Sequence, residues 1–409
     1  MRFKSLENWL KWQETLHPKA IDLGLERVSQ VLQRLHAQSP PFTVITVGGT
    51  NGKGSSVALL ESIFALAGYR VGAYTSPHLL RYNERIRIAG REASDEAICQ
   101  AFERVDSARG EISLTYFEFG TLAALDLFYR AELDVVVLEV GLGGRLDAVN
   151  IIDADVALIS SIGLDHTDWL GSDRETIARE KAGIMRAGRP VVCSEAHIPQ
   201  AIYGEAERIG SRLHCLGRDF HYAHRNDTWS WSGQHGESIN LPLPAQSGEH
   251  QLRNASGVMM VLACLAERLP VNYDAVRQAL VSVRVRGRQQ ILTGKHSWLV
   301  DVAHNQQGVE ALAEALGPVT GSQRTHAVVG MLKDKDISGV MQTMLPVITD
   351  WYCVDLDVPR GAGAVDLQQA IYDLLASAQV TTFDNVSSAM TAAETQAGAG
   401  DRLVVFGSF

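Results

Sequence analysis

The stretch FTVITVGGTNGKGSS at 42–56 constrains this chain more than any other. Residues 42–47 form an apolar, β-branched run that enters a glycine loop, and 55–67 follow with helical apolar spacing up to Gly68. In the loop Gly48, Gly49, Thr50, Asn51, Gly52, Lys53, Gly54 and Ser55, the glycines permit close backbone approach to a phosphate and Lys53 supplies a point charge. The spacing is one residue short of GxxxxGK[ST], and a plain glycine-rich turn is the alternative. The strand before the loop and the helix after it favour a nucleotide.

Such a loop belongs to an α/β sheet, and the rest of the chain continues in that style. VGAYT at 71–75 reads as a strand, the acid-led segment from Ser94 as a helix, and DVVVLEVG at 134–141 and DVALISSI at 155–162 as strands without polar alternation. Strands of that kind are buried on both faces, as in parallel sheets. DRETIAREKAGIMRAG at 173–188 reads as a helix capped by Ser172 or Asp173 and stopped at Gly188. The segment 218–245 resembles an antiparallel excursion in which Trp229 and Trp231, two apart, mark one face of a strand rather than a base-stacking platform. Helices follow at 249–268 and 273–282.

From Trp298 strand and helix alternate strictly to the terminal RLVVFGSF, which implies a second parallel sheet with right-handed crossovers. The expected fold class is α/β: a P-loop N-terminal domain with a mainly parallel sheet, plus a smaller Rossmann-like parallel α/β C-terminal domain. With 409 residues, 46% of them hydrophobic, two cores are favoured over one. The linker is expected near Val283 to Gly287, dividing 1–284 from 285–409.

The net charge of -10 is spread among mixed charges, so no basic surface invites nucleic acid or anionic lipid. Cys99, Cys193, Cys215, Cys264 and Cys353 lie far apart without a CxxC pair, which fits reduced packing thiols better than disulfides or a zinc site. The start MRFKSLENWLKWQETLHP has no apolar core of an export signal, and no later run is long enough to span a bilayer. A cytoplasmic monomer acting on small molecules is expected.

Several residues stand where chemistry is placed. Glu139 ends an apolar strand at its carboxyl edge, where open α/β sheets hold ligands, and Gly141, Gly143, Gly144, Arg145 and Asp147 follow at once. It is either a ligand-binding acid or a salt-bridged structural one. His166 in GLDHTDWLG lies at another sheet edge; it suits a divalent metal, and equally a local hydrogen bond with Asp165 or Asp168. Lys181, between Glu180 and Ala182, reads on its own as a solvated charge. Asp301 ends WLVDVA before His304 and Asn305, and Arg286 and Arg288 flank Gly287, placed either to reach a nucleotide or to pair with surface acids.

Taken together, VGGTNGKGSS (47–56), YTSPHL (74–79), NERI (83–86), TYFEF (115–119), LEVGLGGRLDAVN (138–150), GLDHTDWLG (163–171), EKAGI (180–184), DVAHN (301–305), GMLKDKD (330–336) and VVFGSF (404–409) resemble the bifunctional dihydrofolate synthase/folylpolyglutamate synthase family, within the Mur ligase superfamily. The resemblance runs over nearly the whole chain. It implies a folate site in the N-terminal ATP-binding domain, and a ligase that phosphorylates a substrate carboxylate and lets the amine of glutamate displace the phosphate. Thr50, Asn51, Gly52, Lys53, Gly54 and Ser55 would then hold ATP, with Asn254, Arg288 and Asp301 as further ATP contacts. Ser76, Glu139 and His166 would hold two magnesium ions. Lys181 would carry a carbamate, and Lys53, Lys181 and His166 would be catalytic. Thr115, Tyr116, Phe117 and Glu118, with Leu146, Asp147 and Ala148, would grip the pterin.

The chain departs from the family at Gln306, where proline usually follows DVAHN, and at Gln289, where an apolar or aromatic residue usually follows GR. Relatives continue past GSF into a helix that this sequence does not include. The alternatives are a sibling ligase acting on a UDP-sugar peptide, and a P-loop module without ligase chemistry. TYFEF with RLDA favours the folate over the first.

Overall fold

β1 (Thr43–Gly48) is buried at every residue and carries the glycine loop at its carboxyl end. Around it a computed structural model, which describes residues 2–233, 236 and 238–408, builds an eight-stranded sheet. Its members are β1, β2 (Val71–Tyr74), β3 (Ile86–Ile88), β4 (Arg91–Glu92), β5 (Val135–Glu139), β6 (Val156–Ile159), β7 (Pro190–Cys193) and β8 (Arg212–Cys215). The order is β4-β3-β2-β5-β1-β6-β7-β8, parallel from β2 to β8, with β3 and β4 antiparallel at one edge. The chain runs from β1 past β5 to β2, then returns through β5 and crosses β1 to reach β6. The strand order therefore reverses at β1, the place where α/β sheets open a crevice at their carboxyl ends.

Contacts divide the chain into two compact units. One holds the chain through Ile162, then Ser172–Ala245 and Gln251–Val283; the other holds Gly163–Gly171, Gln246–His250 and Arg284 onward. The first unit includes the antiparallel sheet of β9 (His221–Arg225), β10 (Thr228–Ser232) and β11 (Ser238–Pro242). Trp229 and Trp231 are both buried and donate to the carbonyls of Pro242 and Ser256, as structural members of a strand.

In the second unit β12 (Gln290–Thr293), β13 (Ser297–Asp301), β14 (Thr325–Gly330), β15 (Asp350–Val354), β16 (Gln379–Phe383) and β17 (Arg402–Gly407) form a sheet of order β12-β13-β17-β14-β15-β16. Five strands are parallel, as the alternation predicts, and β12 adds an antiparallel edge that it does not predict. The last residue of VVFGSF, Phe409, lies outside the described residues.

The helix expected over 173–188 ends at Ala182. The Arg145 amide donates to the Glu180 carbonyl at 2.8 Å, occupying an acceptor that another helical turn would need. Asp173, rather than Ser172, caps it by accepting from the Thr176 amide at 2.9 Å. All five cysteines are free thiols. Among the described residues no helix is long and apolar enough to cross a membrane.

The helix Leu6–Leu16 carries a local inconsistency. Gln13 is 1% exposed, and neither amide atom has a hydrogen-bond partner among the described residues. A buried polar group left unpaired costs about 1–3 kcal/mol. Gln13→Met, similar in volume and apolar, is expected to raise the urea midpoint by that order of stability; a lower midpoint would show that the amide is satisfied.

Candidate active site

The glycine loop is held open by a backbone that only glycine adopts easily. Gly52 has φ of +82°, and a Cβ there would collide with Asn254 Oδ1, so the loop packs against the Asn254 side chain. The helix Lys53–Leu66 starts directly after it with no side-chain cap, leaving its first N–H groups to other acceptors. Lys53 Nζ donates to the carbonyls of Gly49 and Thr50, both at 3.0 Å. The far wall comes from the end of β6. Thr50 N donates to Ser161 O at 2.8 Å, Asn51 N to Ser161 Oγ at 2.9 Å, and Ser160 Oγ to Asn51 O at 2.6 Å. In the sequence Ser160 and Ser161 read only as part of the strand at 155–162. The rule that singled out Glu139, a polar residue at the carboxyl edge of an apolar strand, applies to them equally.

Glu139 stands beside the loop because β5 pairs with β1 in the register Val47↔Glu139. It is 5% exposed and accepts from Ser76 N at 3.2 Å, so two of the three residues expected to bind metal are brought together. A carboxylate and a hydroxyl are hard oxygen donors and fit a hard divalent cation. The third, His166, sits in the segment that clusters with the second unit. There it adopts a left-handed backbone (φ 51°), and its amide donates to Asp165 Oδ1 at 2.8 Å. Among the described residues no three His, Cys, Asp or Glu side chains form a group able to hold a metal.

After β5 the chain turns tightly through Gly141. Phe117 packs on it so closely that a Cβ at Gly141 would lie 2.5 Å from Phe117 Cζ. Asp147 is buried and closes the same turn, accepting from Leu142 N at 2.8 Å and Val149 N at 2.9 Å. Burial pushes its carboxyl up to about 6, against the hydrogen bonds of three backbone amides and the charge of Lys53. The ring of Phe117 and the carboxyl of Asp147 thus meet at one loop next to Glu139. Leu146 is half-buried and Ala148 buried in that loop.

Thr115 and Glu118 are engaged otherwise: they form the capping box of the helix Tyr116–Tyr129, and Glu118 also accepts from Arg27 at 3.0 Å. Lys181 is 3% exposed, which rules out a solvated charge. Arg145 explains the burial, since its amide and its guanidinium both bond Glu180 (2.8 Å each) and bring the loop down on this helix.

In the second unit Asp301 is buried at the end of β13 and accepts from Gln289 N at 2.8 Å. Burial raises its carboxyl, opposed by the charge of Arg288. Both departures from the family pattern have local partners. The Gln289 side chain accepts from Ser247 Oγ at 3.3 Å, and Gln306 donates to Glu310 and Thr343. Asp165 receives Lys335 Nζ at 2.7 Å and Asn305 Nδ2 at 2.9 Å.

A phosphate loop on β1, an acid at the end of β5 and a second parallel α/β unit define an ATP-dependent ligase of the Mur type. The Mur ligase middle domain matches residues 47–262, and the Mur ligase glutamate ligase domain matches 287–409. The dihydrofolate synthase/folylpolyglutamate synthase of Escherichia coli (strain K12) is 46% identical over 404 residues, covering 99% of this chain and 93% of the relative. The structure of Escherichia coli FolC in complex with DHPP and ADP superposes with a TM-score of 0.93 at 46% identity, covering 99% of this chain and 95% of that one. A bifunctional folylpolyglutamate synthase/dihydrofolate synthase with Mn, AMPPNP and L-glutamate bound gives 0.90 at 44% identity, covering 99% and 95%. The chain belongs to the dihydrofolate synthase/folylpolyglutamate synthase family.

Proposed function

We propose that this chain adds L-glutamate to dihydropteroate, making dihydrofolate, and to reduced folates, making folylpolyglutamates, with ATP as the energy source. The observation that carries the reading is that Phe117, from the helix Tyr116–Tyr129, packs on Gly141 in the loop that begins two residues after Glu139, while Asp147 accepts from Leu142 N in the same loop. A flat ring offers stacking, and a buried carboxylate accepts adjacent N–H groups, which together suit a pterin.

A carboxylate has no good leaving group. Transfer of the γ-phosphoryl to a carboxylate oxygen forms an acyl phosphate and releases ADP. The glutamate amine then attacks the acyl carbon, the C–O bond to phosphate breaks, and the amine loses its proton as the amide forms. The N–H groups of the glycine loop bind the nucleotide phosphates, and Lys53 stabilises charge on the transferred group. Ser76, Glu139 and His166 are proposed to hold two Mg2+ ions, which supply further charge neutralisation at the phosphates. Thr50 to Ser55, Asn254, Arg288 and Asp301 are proposed as ATP contacts, Thr115 to Glu118 and Leu146 to Ala148 as the pterin site, and Lys181 as a carbamate. The division at 284/285 into an ATP- and folate-binding domain and a ligase domain, and a monomeric state in the cytoplasm, belong to the same proposal.

The test is ADP release with each acceptor omitted in turn. ADP formation is expected to need dihydropteroate, or tetrahydrofolate, together with glutamate; steady ATP hydrolysis without them would make the chain a nucleotide-binding module instead. Asp147→Ala should raise the KM for dihydropteroate by on the order of tenfold or more, since each buried pterin donor left unpaired costs about 1–3 kcal/mol. Only the ionised Asp147 accepts two donors, so pterin binding should weaken as pH falls below about 6, and Asp147→Asn should flatten that profile. Equal losses of dihydropteroate and tetrahydrofolate use in Asp147→Ala would remove its separate role.

A further inference from the structure

Arg85 is a buried cation without a counter-ion among the described residues. It closes the short turn Tyr82–Arg85 before β3, is 9% exposed, and pairs with no Asp or Glu among the described residues. Its neighbour Glu84 is committed elsewhere, accepting from the amides of Leu79, Leu80 and Arg81 at 2.9 Å each. Two residues on, Arg87 is paired with Glu61 at 2.8 Å.

The groups that touch Arg85 are an imidazole and tyrosine rings. Nε donates to His78 Nδ1 at 2.8 Å, and the guanidinium carbon lies 5.4 Å from the Tyr82 ring and 5.7 Å from the Tyr116 ring. His78 Nδ1 accepts this bond, so that ring nitrogen carries no proton, and the guanidinium is the cation of this contact. Aromatic faces attract a guanidinium, yet they leave a desolvated cation without the anion that normally accompanies it.

The cluster adjoins the residues proposed to take the pterin. Tyr116 precedes Phe117, the Tyr74 ring lies 6.1 Å from Phe117, and the Tyr74 hydroxyl feels the charges of both Arg85 and Asp147. Ser76 follows Tyr74 by two residues. We infer that Arg85 is a specificity residue that takes a carboxylate of the acid substrate, with its planar fork as the complementary donor pair. This rests on the folate-ligase reading. The carboxylate is either the one phosphorylated, present in both acids, or the α-carboxylate that only a glutamylated folate carries.

The experiment compares wild type, Arg85→Met and Arg85→Lys, each checked for an intact unfolding midpoint. Dissociation constants are measured without glutamate for dihydropteroate, tetrahydrofolate and 6-hydroxymethyl-7,8-dihydropterin, which has the ring and no carboxylate. Arg85→Met should weaken an acid by on the order of tenfold or more and leave the carboxylate-free pterin within about twofold, with Arg85→Lys recovering part of the loss. Loss for both acids, with a fall in kcat, identifies the reacting carboxylate; loss for tetrahydrofolate alone identifies the α-carboxylate. If Arg85→Met does not fold, Arg85→Lys carries the comparison, because it keeps the charge and loses the fork. An equal loss for the carboxylate-free pterin, or no loss for either acid, overturns the inference. Wild-type protein that ligates neither acid overturns the proposed function itself, whatever the binding constants of the variants.

Discussion

Lys53→Ala is expected to lower the rate of ligation by on the order of a hundredfold or more while leaving the protein folded. Lys53 opens the helix Lys53–Leu66, and its ammonium ties the carbonyls of Gly49 and Thr50 together at 3.0 Å each. The carbonyl bonds make it a clasp across the loop, and its second, proposed task is to supply charge to the transferred phosphoryl. The loop has a second set of supports in Ser160 and Ser161, which bond Thr50 and Asn51. Those supports survive the substitution, so the backbone donors should still bind ADP, with affinity falling much less than turnover. Circular dichroism, ADP affinity and the ligation rate separate the tasks. Near wild-type rates in folded Lys53→Ala would remove Lys53 from the chemistry, and loss of ADP binding as large as the rate loss would make the clasp its main task.

The parts of this architecture that were legible in the sequence are those fixed by local pattern. β1, β5 and β6 are buried on both faces, so their runs are apolar or β-branched with no solvent-facing alternation, and each ends where the polarity changes. That makes Glu139 readable as an edge acid. What the pattern does not carry is the contact between distant segments. The helix Arg174–Ala182 has the composition of a solvated helix, and it takes Arg145, some thirty-five residues away, to bury Lys181 and to end the helix a turn and a half early. Arg85 shows the same limit: in NERI it looks like any surface arginine, and only the folded turn reveals that its neighbours are tyrosines and a histidine. Thr115 and Glu118 have a structural role that the sequence did announce. Their spacing, threonine followed three residues later by glutamate, is a helix start that was readable as such, and the structure uses both side chains for it.

Lys181→Ala is expected to abolish most activity, again by on the order of a hundredfold or more, because the side chain is proposed to act as an anion. An unmodified ammonium buried to 3% exposure, in a site proposed also to hold divalent cations, adds positive charge where positive charge is already concentrated. A carbamate reverses the sign. It forms when the neutral amine attacks carbon dioxide and a proton leaves, and burial favours the neutral amine that this requires. Glu180, the adjacent acid, is held by the Arg145 guanidinium at 2.8 Å. Three results follow from this and not from a lysine that merely fills space. Enzyme stripped of carbon dioxide should lose activity and regain it with bicarbonate. Protein equilibrated with 13C-bicarbonate should show a carbamate carbon resonance that is absent from Lys181→Ala. Small carboxylic acids should restore part of the activity of Lys181→Ala, since they return an anion to the space left behind. Full activity in Lys181→Ala, or activity in Lys181→Arg equal to wild type, would show that the charge reversal is not needed.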